Sequence, residues 1–313
     1  MEPIVEVEGL TKVFGTYLSR ARVTSLRDIS FKVSKGERVC LFGPNGAGKS
    51  TIMKAIMGLV SVTTGSITIN GIDLGRNPLK VKEMIGYLPS ELTFYLDTPC
   101  KESLYHFALL RGMSSVEAKE EVNKLLDLVG LTRWWDIPPK LMSSGMKQRF
   151  SLALALIGNP PLILFDEPIA FIDVQGKMKI YQLVHDYIQE KDKTIIMSSH
   201  NIQDALIMSD RLIILDKGQI ILDGPITKVI NEKCRLMEII LSEEKPSEKE
   251  IKRVIGKEEF ELSGRKILIR SPNALQISIE IVNKLQENKI PVFSFRPFIE
   301  QRRTRDKDSK EEN

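Results

Sequence analysis

The sequence predicts an α/β protein: a cassette with a mixed sheet, broken by an all-helical insertion at about 92–157, then a smaller α+β domain. Three observations carry this. The apolar run Val39-Cys40-Leu41-Phe42 leads into Gly43-Pro44-Asn45-Gly46-Ala47-Gly48-Lys49-Ser50-Thr51, and a helical pattern without a breaker follows as far as Gly58. A second apolar strand, Leu162 to Phe165, delivers the acid pair Asp166-Glu167 at its carboxyl end. Finally, a strand-and-helix pattern restarts near Asn231, after the first has closed.

The elements follow in order. Ile4–Glu8, Ile29–Val33 and Val39–Phe42 read as strands, with Phe14 in a turn between the first two and a basic loop at 17–22. After the loop and its helix come a strand at Ser66–Ile69 and the extended piece Ile85 to Glu91. From Lys101 to Val129 the period becomes helical, with Leu104, Phe107, Ala108 and Arg111 on one stripe and Val122, Leu125, Leu126 and Val129 on another. Trp134-Trp135 is expected to pack inside this insertion, with docking of a partner as the alternative. A helix is expected over Phe150–Ile157, opened by the polar run from Lys140 to Arg149. An amphipathic helix at 174–190, a strand at Thr194–Met197, a helix at Asn201–Met208 and a hairpin around Lys217-Gly218 complete the cassette, predicted to end at residue 232. Residues 233–300 read βαββαβ, the split arrangement of ferredoxin-like domains, and the charged tail 301–313 reads as disordered.

Composition sets the limits. The 313 residues suit one large core with an appendage, and 42% hydrophobic with 27% charged residues is ordinary for a folded chain. A net charge of +4 does not call for a nucleic-acid partner. Cys40, Cys100 and Cys234 are far apart with no C-x-x-C, which points away from zinc and disulfide frameworks and fits a reducing cytosol. No signal-peptide pattern opens the chain, and the most apolar window, Phe150–Phe165, is broken by Gly158-Asn159-Pro160-Pro161. Any membrane role is therefore expected through a partner.

The loop Gly43–Thr51 fills every fixed position of G-x-x-x-x-G-K-[ST]. Glycines let the backbone wrap an anion, and the following helix turns the positive end of its dipole toward it. Lys49 should reach the outer phosphates of a nucleotide and Ser50 should ligate Mg²⁺. Asp166, at the end of a central strand, suits the Mg²⁺ shell, and Glu167 is placed to act on a water molecule; a helix-capping pair is the plain alternative. His200 falls at the carboxyl edge of the sheet, where ligands bind in α/β folds. Phe14 could stack on an adenine ring or simply fill a core.

Loop, Ser143-to-Arg149 run, Asp166-Glu167-Pro168 and His200, in that order, resemble the ATPase subunit of ATP-binding cassette (ABC) transporters over roughly residues 1–232. The resemblance implies a P-loop NTPase cassette that binds ATP with Mg²⁺. It implies a pair of cassettes, as a homodimer or heterodimer, working on an integral membrane permease subunit at the cytoplasmic face of the membrane. By position it gives Phe14 the adenine, Gly43 to Thr51 the phosphates, Ser50 and Asp166 the Mg²⁺, Glu167 the base and His200 the γ-phosphate. Ser143, Ser144 and Gly145 would close on the other subunit's nucleotide, and Asp173 would lie in the segment crossing the dimer. The second domain resembles that of the drug-, lipid- and polysaccharide-export branch. Three positions depart from the family pattern: Ser144 where glycine is usual, Ser90 where a Mg²⁺-sensing glutamine is usual, and the apolar crossing segment Ile169 to Asp173. These departures keep open a weakly hydrolysing, nucleotide-gated subunit, while a soluble cassette acting on ribosomes or DNA is the other rival. The aromatic run Leu92–Leu96 is the expected contact with the membrane subunit.

Overall fold

The computed structural model describes residues 3–15, 22–90, 97–169, 180–184, 187, 193–226, 228, 236–241, 248–255, 260–271, 277–278, 281, 284–285, 288 and 292–297. Asp173, the Leu92–Leu96 run and the tail 301–313 lie outside the described residues. Contacts divide the chain into two compact units, Met1–Ile226 and Thr227–Asn313.

In the first unit, β1 (Pro3–Phe14) and β2 (Val23–Ser34) pair antiparallel, and β4 (Thr64–Ile69) with β5 (Ile72–Asp73) completes a sheet of order β2-β1-β4-β5. Alternation decides its faces: Val5, Val7 and Leu10 of β1 and Ile29, Phe31 and Val33 of β2 are buried. The second sheet has the order β10-β9-β3-β8-β7-β6. Its members are β3 (Arg38–Phe42), β6 (Ile85–Leu88), β7 (Leu162–Asp166), β8 (Thr194–Ser199), β9 (Arg211–Asp216) and β10 (Gln219–Pro225). The five strands from β9 to β6 run parallel, and β10 returns antiparallel through a hairpin. Every residue of β7 and β8 is buried, which fits central strands covered on both faces.

Helix α1 (Lys49–Ile56) contributes Ile52, Met53 and Ile56 to one apolar cluster that also takes in Val5, Leu10 and Phe31 from the first sheet and Leu164, Ile196 and Ile213 from the second. Helix α2 (Pro78–Glu83) leads into β6. The insertion holds α3 (Cys100–Leu110), α4 (Ser115–Leu128) and α5 (Ser144–Leu156). A capping box opens α4, with the Glu117 N–H donating to Ser114 Oγ at 3.3 Å and the Ser114 N–H to Glu117 Oε2 at 2.9 Å. Bonds to the Ser114 backbone and side chain hold the Glu117 carboxyl below its ordinary range. Arg111 ties the insertion to the parallel sheet by donating to the carbonyls of Glu83 and Ile85, each at 2.7 Å.

Three expectations need correction. Phe14 is the last residue of β1, paired with Val23, and not part of a turn. Helix α5 starts at Ser144, six residues before the predicted Phe150, because Ser143 Oγ accepts the Met146 N–H and caps it. Trp134 and Trp135 are each 45% exposed; Lys101 Nζ stands 4.8 Å from the Trp135 ring centre, a cation–π contact made at the surface.

In the second unit β11 (Leu236–Leu241), β12 (Phe260–Ser263), β13 (Lys266–Arg270) and β14 (Val292–Pro297) form an antiparallel sheet of order β12-β13-β11-β14, with α7 (Glu248–Ile255) following β11. In the first unit α6 (Ile202–Met208) follows β8. Ile239, Ile251, Ile255, Ile267 and Ile269 are buried, as are Ile281 and Leu285 at helical positions one turn apart.

Helix α5 crosses β6 at a point where only glycine fits: a Cβ on Gly86 would stand 2.0 Å from the carbonyl oxygen of Ala155 and 2.8 Å from Pro160. The obstruction is backbone and cannot turn aside. Gly86→Ala is therefore expected to destabilise the protein by about 3 kcal/mol, the upper end of overpacking. Thermal denaturation checks this, and an unchanged Tm would show that α5 can shift away from the strand.

Candidate active site

Strand register builds the site. Phe42 is level with Ser199 and Asp166 with Ser198, so the carboxyl ends of β3, β7 and β8 reach one edge together. Gly43, Glu167 and His200 follow directly. The Gly43 N–H donates to the Ser199 carbonyl at 3.3 Å, which locks the start of the loop to the end of β8.

The loop turns into α1 at Gly48, whose φ of +106° is open to glycine, and whose missing Cβ would stand 2.7 Å from Leu26 Cδ2 and 3.0 Å from the Ser25 carbonyl. No side chain caps α1 and no acidic residue lies in its first turn, so its leading N–H groups remain available to an anion. Asn45, Gly46, Lys49, Ser50, Thr51 and Glu167, with Ser25 and Gly48, line a cavity of about 160 Å³ here. Thr51 Oγ1 and Ser25 Oγ share a hydrogen bond of 2.9 Å.

Lys49 is 5% exposed. Its ammonium donates to the carbonyls of Gly43 at 2.8 Å and Pro44 at 3.1 Å and stands 3.7 Å from Glu167 Oε1, so a buried charge is matched on several sides. Asp166 is buried as well. Its Oδ1 accepts from Ser50 Oγ at 3.0 Å and Ser198 Oγ at 2.7 Å, and its Oδ2 faces the Tyr87 hydroxyl at 3.5 Å. Burial, with the neighbouring Asp166 charge, pushes the Tyr87 phenol far above its ordinary value, so it remains a donor.

Glu167 adopts φ +51°, a left-handed conformation that costs a non-glycine residue about 1–2 kcal/mol. Its N–H donates to Ser198 Oγ at 2.9 Å, and its Oε2 lies 3.0 Å from His200 Nδ1. The sharp turn thus brings one carboxylate against both the lysine of the loop and the histidine of the next strand.

Lys49, Ser50, Asp166, Glu167 and His200, separated in sequence, are brought together. Phe14 is 41% exposed at the end of β1, outside the cavity lining, with Lys12 Nζ 4.9 Å from its ring centre. Ser143 and Ser144 lie exposed at the N-terminus of α5 with Gly145 beside them, and Ser90 is exposed two residues past β6. None of Ser90, Ser143, Ser144 and Gly145 lines the cavity at the loop. Ser25, Tyr87 and Ser198 join the site without having been singled out in the sequence. The one available signal for Ser198 is a hydroxyl directly after the apolar run Ile195-Ile196-Met197 in the strand.

The donors suit a hard divalent cation. Ser50 Oγ and Asp166 Oδ1 are oxygen atoms 3.0 Å apart that could both ligate such a cation, and among the described residues no group of three or more His, Cys, Asp or Glu side chains forms an all-protein cage. A cation that keeps water and phosphate oxygens in its shell needs only such a pair.

An uncapped glycine loop with an inserted lysine, beside an acid pair at the end of a parallel strand, defines the phosphate-loop ATP hydrolases as the class. The particular family follows from likeness to known proteins. The ABC transporter family matches residues 26–170. The linearmycin resistance ATP-binding protein LnrL of Bacillus subtilis (strain 168) is 34% identical over 221 residues, covering 71% of this chain and 69% of that protein. ATP-binding cassette sub-family A member 17 of Mus musculus is 30% identical over 216 residues, which are 69% of this chain but span only 12% of that protein. Among solved structures, the dimeric post-hydrolysis state of the ATP-binding cassette MJ0796, bound to ADP and Pi, superposes with a TM-score of 0.65 at 26% identity, over 71% of this chain and 98% of that one. The chain belongs to the ABC transporter family, as an ATP-binding cassette.

Lys49→Ala removes the cation that closes the loop. Its ATP affinity is expected to fall at least about tenfold, as for a lost charge-assisted bond. Titration calorimetry with ATP measures it, and an unchanged Kd would exclude Lys49 from binding.

Proposed function

We propose that the chain hydrolyses ATP to drive export through a separate integral membrane subunit, as one of a pair of cassettes that close on the nucleotide. The observation that carries this is the Glu167 carboxylate, held between Lys49 and His200 beside the Asp166–Ser50 pair. Among the described residues no helix is long and apolar enough to cross a membrane, which favours a partner that supplies the pathway. That LnrL is named for linearmycin resistance favours export as the direction. The cassette would then work at the cytoplasmic face of the membrane.

The geometry supports the following roles. Loop N–H groups and Lys49 hold the phosphates, releasing the lysine from the Gly43 and Pro44 carbonyls as they do so. Ser50 and Asp166 would hold Mg²⁺, which would supply positive charge to offset that of the phosphates. Glu167 takes the proton of the attacking water, while the His200 contact to Oε2 fixes which carboxylate oxygen turns to it. Phe14, part exposed at the end of β1, offers a ring to the adenine. The exposed α5 end, with Ser143, Ser144 and Gly145, suits contact with the nucleotide of the second cassette, and Ser90 would face the metal only at the distance its short side chain allows.

Glu167→Gln keeps the shape and removes the base. Turnover should fall by about 100-fold or more, the scale of a lost general base, while ATP binding persists and the chain accumulates as a dimer. ATPase assays and analytical ultracentrifugation with ATP test both halves. Turnover at the wild-type rate would remove Glu167 from the chemistry and revive a purely gating subunit.

A further inference from the structure

We propose that Ser198 is a positioning residue for hydrolysis, holding the carboxylate of Asp166 and the backbone of Glu167 in one fixed relation. This rests on the reading of Glu167 as the base.

Ser198 lies near the end of β8, level with Asp166 across the parallel pair, and is fully buried. Packing does not ask for a hydroxyl there, since Ile195, Ile196 and Met197 just before it are buried apolar side chains. Its oxygen accepts the Glu167 N–H at 2.9 Å. An amide can only donate, so the single hydroxyl proton is directed elsewhere, and it goes to Asp166 Oδ1 at 2.7 Å. One oxygen thus serves two bonds of opposite sense, which leaves it no rotational freedom.

Both partners matter for the reaction. Asp166 Oδ1 is the atom that also accepts from Ser50, so Ser198 orients the carboxylate on the side where the cation ligands meet. The Glu167 amide belongs to the residue held at φ +51°, and the bond to Ser198 offsets part of the strain of that turn. Without the hydroxyl, the Glu167 backbone loses a restraint toward ordinary φ, and the carboxylate shifts relative to Lys49 and His200.

The test is steady-state ATPase kinetics of the full chain, with ATP binding and Tm measured in parallel. Ser198→Ala should lose about 10- to 100-fold in kcat, the rate equivalent of a lost bond to a charged group, with KM and ATP affinity within about threefold. Ser198→Thr, which keeps the hydroxyl, should recover most of the rate, and Ser198→Val, its isostere without one, should not. Should Ser198→Ala fail to fold, the Thr and Val variants decide alone: equal turnover in the two overturns the proposal, as does a normal kcat in Ser198→Ala. A normal rate in Glu167→Gln would instead remove the base itself. If Glu167→Gln is inactive while Ser198→Ala is normal, only the role of Ser198 is lost.

Discussion

The parallel register of β3, β8 and β7 is the constraint on which the rest depends. Parallel strands leave a sheet on the same side, so equal registers place their next residues at one edge. Phe42, Ser199 and Asp166 end these strands, and the loop, His200 and Glu167 follow in space without any further device. A slip of one residue would turn Asp166 and Ser198 to opposite faces of the sheet and break the bond between them.

Within that frame, opposite charges are kept close but distinct. Lys49 has carbonyls on one side and Glu167 on the other, whereas Asp166 is surrounded by hydroxyls of Ser50, Ser198 and Tyr87. The hydrogen-bond needs of the buried Asp166 carboxylate are thus met by neutral hydroxyls and not by a cation of the protein. This arrangement suits the roles proposed for the two groups, Asp166 toward a divalent metal and Lys49 toward phosphate. Such preorganised groups assist a reaction whose barrier is mostly electrostatic.

The helical insertion is held in place by other means. Arg111 donates to backbone carbonyls at the start of β6, and the close approach of α5 to Gly86 allows the helix to lie directly on that strand. The N-terminus of α5, capped by Ser143, is set at the surface by those contacts. Its exposure suits the proposed contact with the nucleotide of a second cassette.

Local features were legible in the sequence. The glycine loop, the apolar strands, the acid pair and the stripe of Val122, Leu125 and Leu126 each depend on residues within a few positions, where backbone limits and side-chain periodicity act directly. The site's pairings were not legible in this way: Ser50 meets Asp166 across 116 positions and Ser198 meets it across 32, and only strand order and register bring them together. The same holds for the surface. Trp134 and Trp135 were expected inside the insertion on hydrophobicity, yet packing against α3 and α4 left them half exposed, and the cap by Ser143 moved the start of α5. By itself the sequence determined which chemistry the chain carries, because that chemistry sits in contiguous motifs. The tertiary structure decided which atoms act on one another, because the distances between them are set by the sheet and not by the chain between.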